Sequence, residues 1–130
     1  MLPSANRRAV GLVVLAVAVG RLAAAATPEE ASFFESRVRP LLVTKCQECH
    51  GGKIAEAGLR LDSRPALLAG GDSGAVAIAG NAGHSRIIAA VKRAGDLAMP
   101  PDEPLSAEEV AVLEAWVAQG MPWSGPGDGG

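Results

Sequence analysis

Aromatic residues are scarce in this chain of 130 residues. It contains two Phe, two Trp and no Tyr, so aromatic residues make up 3% of the sequence, whereas Gly alone occurs 16 times. A small domain with so few large side chains buries little apolar surface on folding. The composition therefore agrees with a core that depends on a cofactor, although it does not require one.

Basic residues are also few in the part of the chain that would remain after removal of a leader. From Thr27 onward, nine Lys and Arg residues face 14 Asp and Glu residues, which gives a side-chain net charge of −5. Nucleic-acid binding usually requires a basic patch, so the charge balance argues against that class of function. An acidic surface permits docking to a basic partner protein, although most surface charge is simply solvated.

The sequence lacks an apolar run of the length typical of a membrane span, but its N-terminus has the pattern of a secretory signal peptide. Arg7 and Arg8 form a basic region, residues 10–20 are apolar and uncharged, and residues 23–26 are small residues suited to cleavage. Arg21 ends the apolar run, which is shorter than the roughly 20 residues that a membrane-spanning helix needs. The alternative is an uncleaved anchor.

Cleavage between Ala26 and Thr27 would leave 104 residues, the size of one small domain. We therefore expect a signal peptide at residues 1–26, a single domain at residues 27–123 and a flexible Gly-rich tail at residues 124–130. The mature protein is expected in the periplasm or cell envelope, without stable insertion in the membrane.

Both cysteines and one of the two histidines lie in Cys46-Gln47-Glu48-Cys49-His50. C-x-x-C-H is the pattern for covalent attachment of a c-type haem. Two thiols at i and i+3 share a face of a helical turn, so each can bond one vinyl group of the same porphyrin. The adjacent histidine can then bind iron as the proximal ligand. A buried porphyrin would also supply apolar bulk to the core.

Other uses of the two thiols stay open at this point. A zinc site needs four ligands, and the sequence has no second Cys/His pair. A thiol–disulfide redox centre is possible in principle, but it usually accompanies a βαβ pattern, which is missing here. A metal-scavenging dithiol is the remaining alternative.

The two ends of the expected domain have strong helix signals. Thr27 and Ser106 each begin a capping box, and apolar residues follow both at helical spacing. Pro40 should kink or restart the first helix. Gly120 should help to end the last helix, and Trp116 is expected in the core, against the porphyrin edge if one is bound.

The middle of the chain is rich in Gly and Pro and predicts shorter elements. Ser63 can cap a helix over residues 64–69, and Ser85 can cap a helix that continues through Val91 and closes at Gly95. With the two terminal helices, this predicts an all-α domain of three or more helices with Gly/Pro-rich loops.

Met99 is the candidate for the second axial ligand of a haem iron. A thioether ligand raises the reduction potential of an electron-transfer haem. Met99 precedes Pro100 and Pro101, which stiffen the loop and favour extended geometry before them. Met121 follows a helix stop and is expected to fill core space. His84 lies in a loop, where solvent exposure is the default for a histidine.

The chain resembles the planctomycete-type cytochrome c domain, a small haem module found at the start of many large exported planctomycete proteins. The segments that carry the resemblance are residues 46–51, 58–64, 70–74, 99–101 and 113–123. C-x-x-C-H and Met-Pro-Pro at this separation, with the other segments between them, form a specific combination. The resemblance spans about residues 30–123.

The resemblance implies a small class I-like cytochrome c fold around a covalently attached haem. It implies attachment at Cys46 and Cys49, with His50 as proximal and Met99 as distal ligand of the iron. The sequence departs from the family at Ala79, where Pro is frequent before the following glycine.

A second departure is His84, which stands where an acidic or polar residue is common. Family members also often continue into longer modules, so this chain is either a free-standing module or a piece of a longer protein.

We therefore expect an exported electron-transfer protein, not an enzyme, in which iron cycles between Fe(II) and Fe(III). Its partner would be an unidentified redox protein. Two alternatives belong to other classes. A haem enzyme, such as a peroxidase-like domain, would need an open distal site, and a sensing or binding module of a larger exported protein would use the haem without passing electrons.

Overall fold

The computed structural model describes residues 11–14 and 25–129 of the chain. Most of the predicted signal peptide therefore lies outside the described residues. Among the helices that are described, none is both long and apolar enough to cross a membrane. The boundaries predicted for the signal peptide, the domain and the tail stay predictions.

The described residues form helices and loops, and β-structure within them is limited to two isolated bridges. This confirms the predicted all-α class. The α-helices are α1 (Pro28–Phe33), α2 (Arg39–Leu41), α3 (Arg64–Ala69), α4 (Arg86–Lys92) and α5 (Ala107–Ala118). Two π-helical segments (Phe34–Val38 and Leu42–Cys46) and two 3₁₀ turns (Glu56–Gly58 and Ala82–His84) complete them.

Together, α1, α2 and the two π-helical segments make one N-terminal helical run that ends at Cys46. The run begins with the predicted capping box. Thr27 Oγ1 accepts from Glu30 N–H at 3.2 Å, and Glu30 Oε1 accepts from Thr27 N–H at 3.0 Å. These two bonds satisfy backbone donors that an uncapped helix would leave unpaired.

The N-terminal helical run passes through Pro40 without breaking. Proline lacks the N–H that an α-helix would bond four residues earlier, and its ring crowds that carbonyl. Arg39 N–H donates to Phe34 O, and Gln47 N–H donates to Leu42 O at 2.8 Å, both five residues back. This wider π-type turn absorbs the proline, so helical structure continues as far as the C-x-x-C-H motif.

The predicted helix over residues 64–69 is confirmed as α3, and Ser63 Oγ accepts from Ala66 N–H at 3.2 Å. The helix predicted after Ser85 is also present, but Ser85 does not cap it. Its hydroxyl instead accepts from Ile78 N–H and donates to Asn81 O, both at 2.8 Å. The buried hydroxyl thus forms hydrogen bonds with backbone groups of the preceding loop.

The same helix, α4, ends earlier than the sequence predicts. Arg93 takes the left-handed conformation, with φ of 55°, directly after Lys92. A residue in this conformation ends an α-helix as a C-terminal glycine would. Gly95 therefore lies in the loop beyond the helix.

Helix α5 begins with the predicted capping box at Ser106 and Glu109, with N–H to oxygen distances of 2.9 and 3.1 Å. It crosses the N-terminal helical run, and the large side chains of the domain meet there. The ring of Phe34 lies 6.0 Å from Trp116 and 4.6 Å from Trp123, and the two Trp rings are 6.1 Å apart. Three of the four aromatic residues therefore form one aromatic cluster, which joins the two helical elements.

Residues 124–129, predicted to be a flexible tail, are packed against this aromatic cluster. The guanidinium of Arg39 lies over the Phe34 ring and donates to the carbonyls of Ser124 and Pro126. Gly127 O accepts from the backbone N–H of Arg64 at 2.7 Å. The carbonyls of the tail therefore have donors within the domain, which composition alone does not reveal.

Replacing Trp116 with Ala should lower the free energy of unfolding by about 3–5 kcal/mol, because the side chain is fully buried and the cavity cannot close completely. Denaturant unfolding of the folded protein measures this loss. The control, Ser32→Ala, changes an exposed side chain of α1 and should cost about 0.5 kcal/mol or less. Equal losses in the two variants would contradict the importance of the aromatic cluster.

Candidate functional site

The C-x-x-C-H motif begins at the last residue of the N-terminal helical run, Cys46. His50 N–H donates to Cys46 O at 3.0 Å, so the backbone makes one further helical turn through the motif. Residues at i and i+3 of a helical turn share a face, which is the arrangement predicted for the two thiols. Both cysteines are half-buried and unbonded to each other.

The imidazole of His50 is held by two backbone carbonyls. Its Nδ1 lies 3.1 Å from Glu56 O and 3.3 Å from Leu59 O. A carbonyl oxygen can only accept a hydrogen bond, so Nδ1 carries the proton in this arrangement. Nε2 is then left with its lone pair free to bind a metal, which is how proteins usually orient a histidine ligand.

A tight loop after His50 supplies these carbonyls. Gly51 N–H donates to Ile54 O at 2.8 Å, and Glu56 N–H donates to Cys49 O at 2.9 Å. Gly51 is buried, and a Cβ added there would lie 2.4 Å from the backbone oxygen of Gln47. Only glycine allows the chain to turn this closely against the motif.

The glycine-containing segment of residues 70–74 packs against this loop. Asp72 N–H donates to Ala57 O at 2.8 Å, and a Cβ on Gly71 would lie 2.5 Å from that same oxygen. Gly58 is equally close to Asp72, since a Cβ there would lie 2.4 Å from Oδ1. The absence of side chains at Gly58 and Gly71 thus lets residues 56–58 and 70–74 pack in direct contact.

The surroundings of the two cysteines disfavour the thiolate form. Burial raises the pKa of Cys46 to about 11. Burial also raises the pKa of Cys49, as do the carboxylates of Glu56, Glu48 and Asp102. A thiol–disulfide exchange centre requires a lowered thiol pKa, so the site has the opposite electrostatics to that alternative.

Met99 lies half-buried in the loop between α4 and α5. Its N–H donates to Ala90 O at 3.1 Å, and the guanidinium of Arg93, the residue after α4, donates to Pro100 O. Asp102, three residues further, is close enough to Cys49 for its charge to raise the pKa of that thiol. The two hydrogen bonds therefore hold the Met99 segment against the C-terminal end of α4.

The structure separates the other two ligand candidates by their surroundings. Met121 is fully buried and belongs to the hydrophobic core that contains Trp116. His84 is exposed, and its Nδ1 lies 3.1 Å from Asn81 Oδ1 within a 3₁₀ turn. These surroundings agree with a packing role for Met121 and a surface position for His84.

A dedicated metal cage is not evident in the described ranges, where no group of three or more His, Cys, Asp or Glu side chains is arranged to hold a metal ion. An open cleft of about 260 Å³ borders the Met99 loop. Its lining residues are Arg86, Ala89, Ala90, Gly95, Asp96 and Leu97. Ala90, one of these lining residues, also accepts the Met99 N–H through its backbone carbonyl.

Several parts of this site could not be found by motif reading. The two acceptors of His50 are backbone carbonyls, which carry no residue-type signal. Gln47 occupies a variable position of C-x-x-C-H, yet its side chain donates to Leu61 O at 3.1 Å. The adjacent glycines Gly51 and Gly52 can be seen in the sequence. The close approach of Gly51 to the backbone of Gln47, which excludes a side chain at Gly51, is seen only in the folded structure.

An all-α domain with two thiols one turn apart, and a histidine whose Nε2 is available beside them, has the architecture of a small c-type cytochrome. Comparison with known families agrees: residues 46–103 match the planctomycete cytochrome C family. The match confirms the resemblance to the planctomycete-type cytochrome c domain over this segment. Neither the curated proteins nor the solved structures gave a match.

The matched segment contains the motif and the Met-Pro-Pro loop, and it ends before α5. The match indicates a haem-binding module in this part of the chain, and it favours electron transfer over catalysis. The residues fit such a group: both thiols are free, and His50 has an oriented ring. Ile54 and Leu97, which neighbour the motif and the Met99 loop in sequence, expose more than half of their apolar surface.

Replacing Gly51 with Ala should destabilise the domain by about 1–3 kcal/mol, because the new methyl group meets a backbone oxygen that cannot rotate away. Gly83→Ala is the matched control, since the nearest atom to its added Cβ is 3.8 Å away. Circular dichroism during denaturant unfolding compares the two. A Gly51→Ala variant as stable as Gly83→Ala would show that the close turn is dispensable.

Proposed function

We propose that this domain is an exported c-type cytochrome that transfers single electrons through a covalently bound haem with His/Met ligation. The observation that carries the proposal is the state of His50: its Nδ1–H is bonded to two carbonyls, and its Nε2 is free beside two unpaired thiols. When bound, the haem would supply an iron that accepts and releases one electron.

The thiols of Cys46 and Cys49 would each add across one vinyl group, forming a thioether bond with no net change in oxidation state. His50 Nε2 would bind the iron on one side of the ring. Second-shell hydrogen bonds such as those to Nδ1 fix the ring orientation and raise the basicity of the ligand. The chain thereby contributes attachment, proximal ligation and control of the ligand field.

Met99 is the proposed ligand on the opposite side. Two features support it: its loop is tied to α4 and to Arg93 by the Met99 and Pro100 hydrogen bonds, and Met121, the other methionine, is buried in the core. A thioether ligand favours Fe(II) and so raises the potential. A six-coordinate iron has no free position for a substrate, which is why the proposal is electron transfer and not catalysis.

The partner is proposed to be a redox protein with a basic docking face. The carboxylates of Glu48, Glu56 and Asp102 raise the pKa of the Cys49 thiol, and the chain from Thr27 onward has a side-chain net charge of −5. Opposite charges on two docking faces speed their encounter and orient it. Association should consequently weaken as salt is raised.

Mass spectrometry of the secreted, mature protein tests attachment and export together. The chain should begin near Thr27 and carry one haem that survives acid–acetone extraction, because thioether bonds do not dissociate. Cys46→Ala combined with Cys49→Ala should leave little folded product, since the core depends on the cofactor. Haem that extracts freely from the wild type would overturn the proposal, and a start at Met1 would indicate a retained membrane anchor.

Replacing Met99 with Ala should open the sixth coordination position. The reduction potential should fall, because a ligand that stabilises Fe(II) is lost, and added CO or azide should bind. Visible spectra of both redox states and a potentiometric titration measure these changes. Met121→Ala and His84→Ala are the controls and should keep the wild-type spectrum.

Two results would contradict this assignment. If Met121→Ala loses the Met-type spectrum while Met99→Ala keeps it, the ligand is Met121. If the wild-type protein binds CO readily, the distal site is open, and a haem enzyme or sensing module becomes the better description.

A further inference from the structure

Leu61 is hydrogen-bonded twice to the C-x-x-C-H motif. Its N–H donates to His50 O at 2.8 Å, and its carbonyl accepts from Gln47 Nε2 at 3.1 Å. Leu61 is 3% exposed and belongs to the hydrophobic core. One buried residue thus ties the loop after the motif to the motif itself, on both of its backbone groups.

This tie acts on the ring of His50 through a short stretch of backbone. Leu59, two residues before Leu61, supplies the carbonyl 3.3 Å from His50 Nδ1, and the other acceptor, Glu56 O, is 3.1 Å away. A single N–H shared by two acceptors at nearly equal distances is sensitive to small movements of either one. The position of residues 59–61 therefore sets how strongly Nδ1–H is bonded.

Among these hydrogen bonds, the bond from the Gln47 side chain to Leu61 O can be removed by a substitution that leaves the backbone groups in place. Without the Gln47 amide, Leu61 O would be a buried acceptor with no donor, and the cost of burying it unpaired would favour movement of the segment toward solvent. The backbone bond from Leu61 to His50 would remain, but the segment would be held at one point instead of two.

We propose that Gln47 is a positioning residue for the proximal histidine: its amide holds residues 59–61 so that their carbonyl orients and polarises the His50 ring. The inference rests on the proposed function, because it concerns the ligand of a bound haem. A stronger Nδ1–H bond makes the ligand more basic and stabilises Fe(III). Losing Gln47 should therefore raise the reduction potential.

The test is Gln47→Leu in the haem-loaded protein, which keeps similar volume and no charge but removes the donor. The potential should rise relative to wild type. In the reduced protein, exchange of the His50 Nδ1 proton with solvent, followed by NMR, should become about tenfold faster, the change expected for loss of one hydrogen bond. A purely structural role would move neither the potential nor this proton selectively.

Asn81→Ala is the matched control. It removes a side-chain acceptor that receives His84 N–H at 3.2 Å in another loop, so it also costs a hydrogen bond without touching residues 59–61. The proposal is overturned if Gln47→Leu leaves both readouts at wild-type values, or if Asn81→Ala changes them equally.

A measurement on the wild type covers the case in which Gln47→Leu does not mature. One proton of the Gln47 side-chain amide should exchange slowly, because it is bonded to Leu61 O. Free exchange of both amide protons would overturn the proposal, whereas slow exchange of one supports it. Failure of the underlying function is distinct, because it is seen in the wild-type mass as absence of covalent haem before any variant is compared.

Discussion

The contact between the N-terminal helical run and α5, made by Phe34, Trp116 and Trp123, joins the first and the last helical elements of the domain. A chain with four aromatic residues concentrates three of them at this one crossing. Aromatic side chains bury more area per residue than any others, so the contact fixes the direction of the run with few residues. The C-x-x-C-H motif begins where that run ends, and its position follows from the crossing.

From the motif onward, order comes chiefly from backbone hydrogen bonds and close glycine contacts. Gly51 turns the chain against Gln47, and the carbonyls of Glu56 and Leu59 reach back to the imidazole. Large side chains would keep these segments apart. The scarcity of bulky residues and the abundance of glycine, which look like weaknesses of the core, are what allow a loop to approach a histidine this closely.

Local signals predicted much of the fold because they act within a few residues. The capping boxes at Thr27 and Ser106 and the helix after Ser63 formed as expected, since a cap needs only its own first turn. Ser85 did not cap α4, because its hydroxyl met loop groups of residues 78 and 81. The composition of residues 124–129 predicts mobility, but the donors that engage them come from Arg39 and Arg64, far away in sequence.

The resemblance to the planctomycete cytochrome C family could be predicted from residue types alone, because C-x-x-C-H is a pattern of fixed spacing that needs no fold to be recognised, and the match over residues 46–103 agrees with it. The helical class could also be predicted, from caps and apolar spacing. Which nitrogen of His50 is free could be learned from the three-dimensional structure alone, because the groups that hold the other nitrogen are backbone carbonyls, which every residue possesses. The partner of the Gln47 side chain, Leu61 O, could not be predicted for the same reason. A hydrogen bond between residues far apart in sequence depends on the three-dimensional course of the chain, which residue types alone do not indicate.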